Sequence, residues 1–204
     1  MAQEIVQHTE KMIKNRIHGH GRGWCFTPKD FSDLGSSEAI RIALFRLNKE
    51  RTIRRITHGL YDFPRKHQKL GDLPPRAEDI ANAIARRDHI RFLASGAYAA
   101  NLLGISEQVP GKIVFLTEGA PKTIEFGKMK IMFKKTTPKN MALANSVSGH
   151  VVQAFKFIGK ENITTGLISH LKKRLGTAEK RRLKKDASLA PAWITKIILR
   201  ELAG

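Results

Sequence analysis

Two sets of cationic side chains have the types and spacing to act together. Between Lys29 and Arg65, Arg41, Arg46 and Lys49 recur at helical intervals, and Arg54 and Arg55 sit side by side in a β-favouring run. Farther on, Lys172, Lys173, Arg174, Lys180, Arg181, Arg182, Lys184 and Lys185 fall within fourteen residues that hold one acid, Glu179. Guanidinium and ammonium groups bind phosphate oxygens, and a guanidinium also matches the paired acceptors on a guanine edge. A charge run is just as often a solvated face, and for the second set the two readings stand about even.

Other chemistry is weakly signalled. His18, His20 and Cys25 are close in sequence but lack a fourth metal ligand, and one cysteine allows neither an internal disulfide nor a multi-cysteine zinc site. Gly19, Gly21 and Gly23 follow a helix, whereas a phosphate-binding glycine loop follows a strand, so they read as a flexible joint. Ser95 in SGAY lacks the glycine of a nucleophile elbow and reads as a helix cap. Asp30 and Asp33 are explained by capping and solvation. No catalytic cluster, metal or cofactor is expected.

The first cationic set needs elements to carry it. Thr27, Pro28 and Asp30 form a helix-start signature, and a short helix should end near Leu34. Gly35 suits a tight turn, Ser36 or Ser37 an N-cap, and Glu38 the first turn of a second helix from Ser37 to Lys49. Ile40, Ala43, Leu44 and Leu47 line one side of it, with Arg41, Phe45, Lys49 and, at the flank, Arg46 on the other. Two β-favouring runs follow, Thr52 to Ile56 and Leu60 to Phe63, joined through Thr57, His58 and Gly59 as a basic hairpin. Ile53 and Ile56 cannot share a face of a regular strand, which predicts a bulge. This order outlines a winged helix-turn-helix.

The chain has 204 residues, 41% of them hydrophobic, enough for one large or two small cores. It contains no apolar run long enough to span a membrane and no signal-peptide pattern at its N-terminus, so a cytoplasmic location is expected. Its net charge is +19. Lys and Arg number 14 against 8 acids through Asp72, and 23 against 10 beyond it. Such self-repulsion is usual where the partner is a polyanion, and nucleic acid leads the candidates.

Ile5, Thr9, Met12, Ile13 and Ile17 predict a first helix ending at the glycines after His18, with Trp24 and Phe26 packing below it. The stretch PRKHQKLGDLPP from Pro64 to Pro75 disfavours long regular structure. It places the domain boundary between residues 68 and 69. Beyond it come a helix from Arg76 to Arg87, a strand from His89 to Leu93, and a helix from Ser95 to Gly104. Strands at Lys112–Leu116, Thr123–Phe126 and Met129–Phe133 follow, then helices at Lys139–Asn145, Gly149–Ile158, Ile163–Leu175, Ala178–Leu189 and Pro191–Leu202. The expected class is α+β: an N-terminal winged helix-turn-helix domain over 1–68 and a C-terminal mixed domain over 69–204, with a small sheet and several helices.

The B-DNA major groove admits one helix. On this reading Arg41 and Arg46 read guanine or hold phosphate, Ser36, Ser37 and Lys49 hold the backbone, and Arg54 and Arg55 reach phosphates or a minor groove. Lys29 and Arg65 complete the candidate set. A basic RNA-binding structural protein, or a nucleic-acid-processing enzyme without a recognisable site, are the alternatives.

Arg22-Gly23, FTPKDFSDLGS, ALFRL, IRRITHGLYDFPR, SGAYAANLLG, QVPGKIVFLTEG and APAW together resemble the AbiEi-type antitoxins of type IV toxin-antitoxin systems and their uncharacterised relatives, over nearly the whole chain. The resemblance implies a winged-helix autorepressor of its own operon, with a C-terminal domain that counteracts a nucleotidyltransferase toxin; no enzymatic activity is expected. Ser36, Arg41, Arg46, Arg54 and Arg55 inherit the DNA role by lying in matched motifs, whereas the tail is assigned from its charge. The oligomeric state stays open, a monomer binding DNA cooperatively being one arrangement.

Overall fold

The computed structural model describes residues 2–108 and 110–202, so Val109 of the QVPGKIVFLTEG run lies outside the described residues. The chain is α+β and divides into two compact units, Met1–His89 and Ile90–Gly204.

In the first unit, α1 (Ala2–His20) precedes β1 (Cys25–Phe26), a 3-10 turn (Pro28–Phe31), α2 (Ser37–Lys49), and the hairpin strands β2 (Arg54–Thr57) and β3 (Leu60–Asp62). β3 pairs antiparallel with both others, giving the order β1-β3-β2. The register shifts between Arg55 and Thr57, which is the bulge that lets both Ile53 and Ile56 be buried. Gly59 closes the two-residue turn at φ +66°, where a Cβ would be strained.

The short helix expected to run to Leu34 is a single 3-10 turn. Asp30 closes it locally, its carboxylate accepting from the Thr27 N–H at 2.7 Å and the Thr27 hydroxyl at 3.1 Å. Ser36 is the N-cap of α2, its hydroxyl accepting from Ala39 N–H at 3.2 Å. Gly35 is required for space, because an added Cβ would lie 2.8 Å from Thr9 Oγ1 on α1. The core joins Ile13 and Ile17 of α1, Phe26 and Phe31, Ile40, Ala43, Leu44 and Leu47 of α2, and Ile53 and Phe63. Trp24 packs against this core with His20 stacked on it at 3.9 Å, as its apolar neighbours predict.

The boundary expected at 68/69 lies instead at His89/Ile90. The Pro64–Pro75 stretch forms a small hairpin, β4 (Lys66–His67) with β5 (Gly71–Asp72), and leads into α3 (Ala77–Asp88), which packs on β1. Arg86 bonds both Asp30 at 3.0 Å and the Cys25 carbonyl at 2.8 Å, and the Lys29 ammonium donates to the Arg87 carbonyl at 2.9 Å. A proline-rich composition signals the absence of long elements, but it does not show which core the next helix completes. A fragment of residues 1–89 should therefore unfold cooperatively and one of residues 1–68 should be less stable, as urea unfolding of the two would show; equal stability would return the boundary to residue 68.

The second unit holds β6 (Phe92–Ser95), α4 (Gly96–Leu102), β7 (Lys112–Thr117), β8 (Lys122–Phe126), β9 (Met129–Lys135), α5 (Pro138–Met141), α6 (Val147–Ile158), α7 (Thr165–Arg174), α8 (Thr177–Asp186) and α9 (Ala192–Ile197), the last continuing as a π turn to Leu202. Its sheet runs β6-β7-β9-β8, with β7 and β9 parallel and the outer pairs antiparallel. The strand expected from His89 begins only at Phe92. Ile113, Phe115, Ile131 and Phe133 turn to the buried face with Leu93, Val151 and Phe155. Gly149 allows α6 its close approach, since a Cβ there would strike the Leu143 carbonyl oxygen. Ser95 stands at the N-terminus of α4, but its hydroxyl bonds Gln153 at 3.3 Å rather than capping the helix. Among the described residues, no helix is long and apolar enough to cross a membrane.

Candidate nucleic-acid interface

The periodicity of α2 decides what it presents. Burial of Ala39, Ile40, Ala43, Leu44 and Leu47 turns Ser37, Arg41, Phe45 and Lys49 outward. Arg41, Phe45 and Lys49 are spaced by four residues and form one stripe. Phe45 is 66% exposed, a large ring left in water between two cations. Arg41 bonds Glu38 one turn back through Nε at 3.1 Å, which holds the carboxyl below its usual range. Both partners are largely in solvent, so the pair is weak and exchangeable.

A side-chain bond ties the hairpin to this helix: Asn48 Oδ1 accepts the Arg55 N–H at 3.0 Å. Arg55 is exposed on β2, its guanidinium 3.0 Å from His58 Nδ1 in the turn. Arg54 faces the other way. It grips the Asp62 carboxylate at 3.0 and 2.7 Å and donates to the Leu73 carbonyl at 2.8 Å. Burial pushes the Asp62 carboxyl up from its usual value and Arg54 holds it partly back.

The other candidates divide in the same way. Ser37 is exposed, while the Ser36 hydroxyl is engaged as the cap. Arg46 is partly exposed and 3.6 Å from Glu10. Arg65 is 3.5 Å from Asp79 and largely covered, and Lys29 is tied to α3. Phe45 was visible as an apolar residue on the charged face of α2 without a place in the core.

In the second unit, Lys172, Lys173, Arg181, Lys184 and Lys185 are exposed along α7 and α8. Lys180 is partly covered, Arg174 donates to the Leu102 carbonyl at 3.1 Å, and Arg182 pairs with Asp186 at 2.7 Å. His18, His20 and Cys25 do not converge, and no metal-binding group of three or more ligands occurs among the described residues. Cys25 is buried, which raises its thiol pKa and makes it a packing residue. Asp33 is held at about 2 by a bidentate bond from Arg16, and Asp30 pairs with Arg86 at 3.0 Å, so both acids serve the fold.

These observations define an α+β protein with an exposed cationic helix face beside a hairpin. The chain belongs to the family of unknown function DUF6088, whose profile matches residues 12–183. Among solved structures it is similar to the RV2827C protein from Mycobacterium tuberculosis, at 16% identity over 87% of this chain and 72% of that one, with a TM-score of 0.43. No curated protein matches it.

Proposed function

We propose that the protein is a duplex-DNA-binding regulator that acts in the cytoplasm without catalysing a reaction, and that its first unit is a winged helix-turn-helix. The observation that carries this reading is the α2 stripe of Arg41, Phe45 and Lys49 beside a hairpin whose strand β2 carries Arg55. The element order helix, strand, turn, helix, hairpin and the sheet order β1-β3-β2 support it. A basic helix face suits the major groove, and a hairpin beside it suits the flanking backbone. Ser37, Arg41, Phe45 and Lys49 meet the groove and its phosphates, Arg55 the adjoining strand, with Arg46 at the flank. Repression of its own operon, and neutralisation of a nucleotidyltransferase toxin by the second unit, extend the proposal on the AbiEi resemblance. Co-expression with the products of adjacent genes tests the toxin part: rescue of growth supports it, and no rescue removes it.

The exposed cations of α7 and α8 supply a contact indifferent to sequence. Each phosphate neutralised on duplex DNA steepens the fall of log affinity with log salt by about 0.9. Changing Lys173, Arg181, Lys184 and Lys185 together to Gln, while sparing Arg174 and Arg182 for their structural bonds, should weaken binding to all duplexes alike and flatten that slope. An unchanged slope, measured by fluorescence anisotropy over a salt series, would assign this charge to solubility or to an acidic partner.

A further inference from the structure

The first unit contains a cleft of about 350 Å³ that the DNA reading does not use. Lys14, His18 and Arg22 from and just beyond α1, Glu50, Arg51 and Thr52 after α2, and Phe63, Pro64, Lys66 and Asp72 after the sheet line it. Arg41, Phe45 and Lys49 take no part in it. We infer that this cleft binds a sugar phosphate of about mononucleotide size.

The chemistry of the walls carries the inference. Four cationic side chains, Lys14, Arg22, Arg51 and Lys66, and two carboxylates, Glu50 and Asp72, line it together. Arg22 is already oriented, its guanidinium 4.5 Å over the Phe63 ring and donating to the Pro64 carbonyl at 2.8 Å. The side chains of Lys14, Arg51 and Lys66 make no hydrogen bond or ion pair among the described residues. All three are exposed and free to engage an anion from outside.

Carboxylates would repel a bare phosphate that filled the cleft. They accept hydrogen bonds from hydroxyls, so a ligand with a phosphate at one end and a polyol at the other satisfies both charges. Phe63 and Pro64 supply the apolar wall against which a ring can lie. The volume lies at the lower end of the range of about 300–1,000 Å³ usual for small-molecule sites.

Arg51 has φ +59° as the left-handed residue that closes α2, the Thr52 N–H donating to the Leu47 carbonyl at 3.0 Å. This helix end sets Arg51 among the residues that line the cleft.

The test is calorimetric titration of the full chain with AMP, ribose 5-phosphate and inorganic phosphate at constant ionic strength. Saturable binding of AMP and ribose 5-phosphate is expected, with inorganic phosphate weaker by about tenfold or more, since it engages the cations alone. Arg51→Gly keeps a favourable backbone and should lower AMP affinity by about tenfold, as should Lys14→Gln. Glu50→Gln should narrow the preference for ribose 5-phosphate over phosphate. Arg41→Ala should change none of these values. The same titration with excess duplex present separates the two sources of this chemistry: retained AMP binding assigns the cleft to a free sugar phosphate, and displacement assigns it to nucleotides within a nucleic-acid strand. No saturable binding of the three probes, or full binding in both Arg51→Gly and Lys14→Gln, would overturn the inference.

Discussion

Arg54→Ala should destabilise the first unit by about 3–5 kcal/mol, because it strips the partner from a carboxylate that is 1% exposed. Asp62 sits in β3 opposite Arg54, and the same guanidinium also satisfies the Leu73 carbonyl as the chain leaves the sheet. The loss should depend on pH in a defined direction. Burial already raises the folded-state pKa of Asp62 above its ordinary value, and removing Arg54 removes the main influence that lowers it. A carboxyl with a raised folded pKa is penalised once it must ionise, so the deficit should be small at acid pH and grow as pH rises above the ordinary carboxylate range. Replacing both residues, as Arg54→Met with Asp62→Leu, should recover most of the loss. Urea unfolding followed by Trp24 fluorescence in a Trp193→Phe background isolates this unit, since these are the two tryptophans of the chain. A phosphate-contacting Arg54 would instead leave stability unchanged and lower DNA affinity.

That pair also shows where sequence reading stops. Adjacent arginines in a hairpin look equivalent as charge, but a pleated strand sends them to opposite faces, and only the register reveals that Arg54 meets Asp62. The elements themselves were legible, because the buried stripe of α2, the glycine turn of the hairpin and the β8–β9 hairpin are all local patterns. The bulge could be anticipated because Ile53 and Ile56 are both too apolar to expose. The boundary was not legible from the proline-rich stretch, since the attachment of α3 rests on Arg86 reaching residues about sixty positions earlier in the chain. Of the site, the outward cations of α2 could be read from helical period. The internal engagement of Lys29, Arg46, Arg54 and Arg65 could not, because each partner is remote in sequence or on another element.

Arg41→Ala and Phe45→Ala should each lower affinity for a preferred duplex by about 1–3 kcal/mol, with little effect on folding. Arg41 loses only an exposed pair with Glu38, and Phe45 has almost no packing to lose at 66% exposure. Their signatures should differ. Arg41 offers two donors to a guanine edge or a phosphate, so its loss relaxes discrimination at one position or weakens binding uniformly. Phe45 offers only an apolar face, and the apolar feature of the major groove is the thymine methyl. Replacing the relevant thymine by uracil removes that methyl and should cost about 0.8 kcal/mol with the natural protein. With Phe45→Ala the same replacement should cost almost nothing. Equal effects of uracil on both proteins, across every thymine of the preferred duplex, would remove Phe45 from the interface.

The most direct test of duplex recognition is a binding selection in which the full chain chooses from a mixed pool of random duplex DNA and structured RNA at physiological salt. The proposal predicts enrichment of duplex DNA sharing one short consensus, bound at least about a thousandfold more tightly than unselected duplex. Enrichment of RNA, or of duplexes with no common sequence, would contradict it.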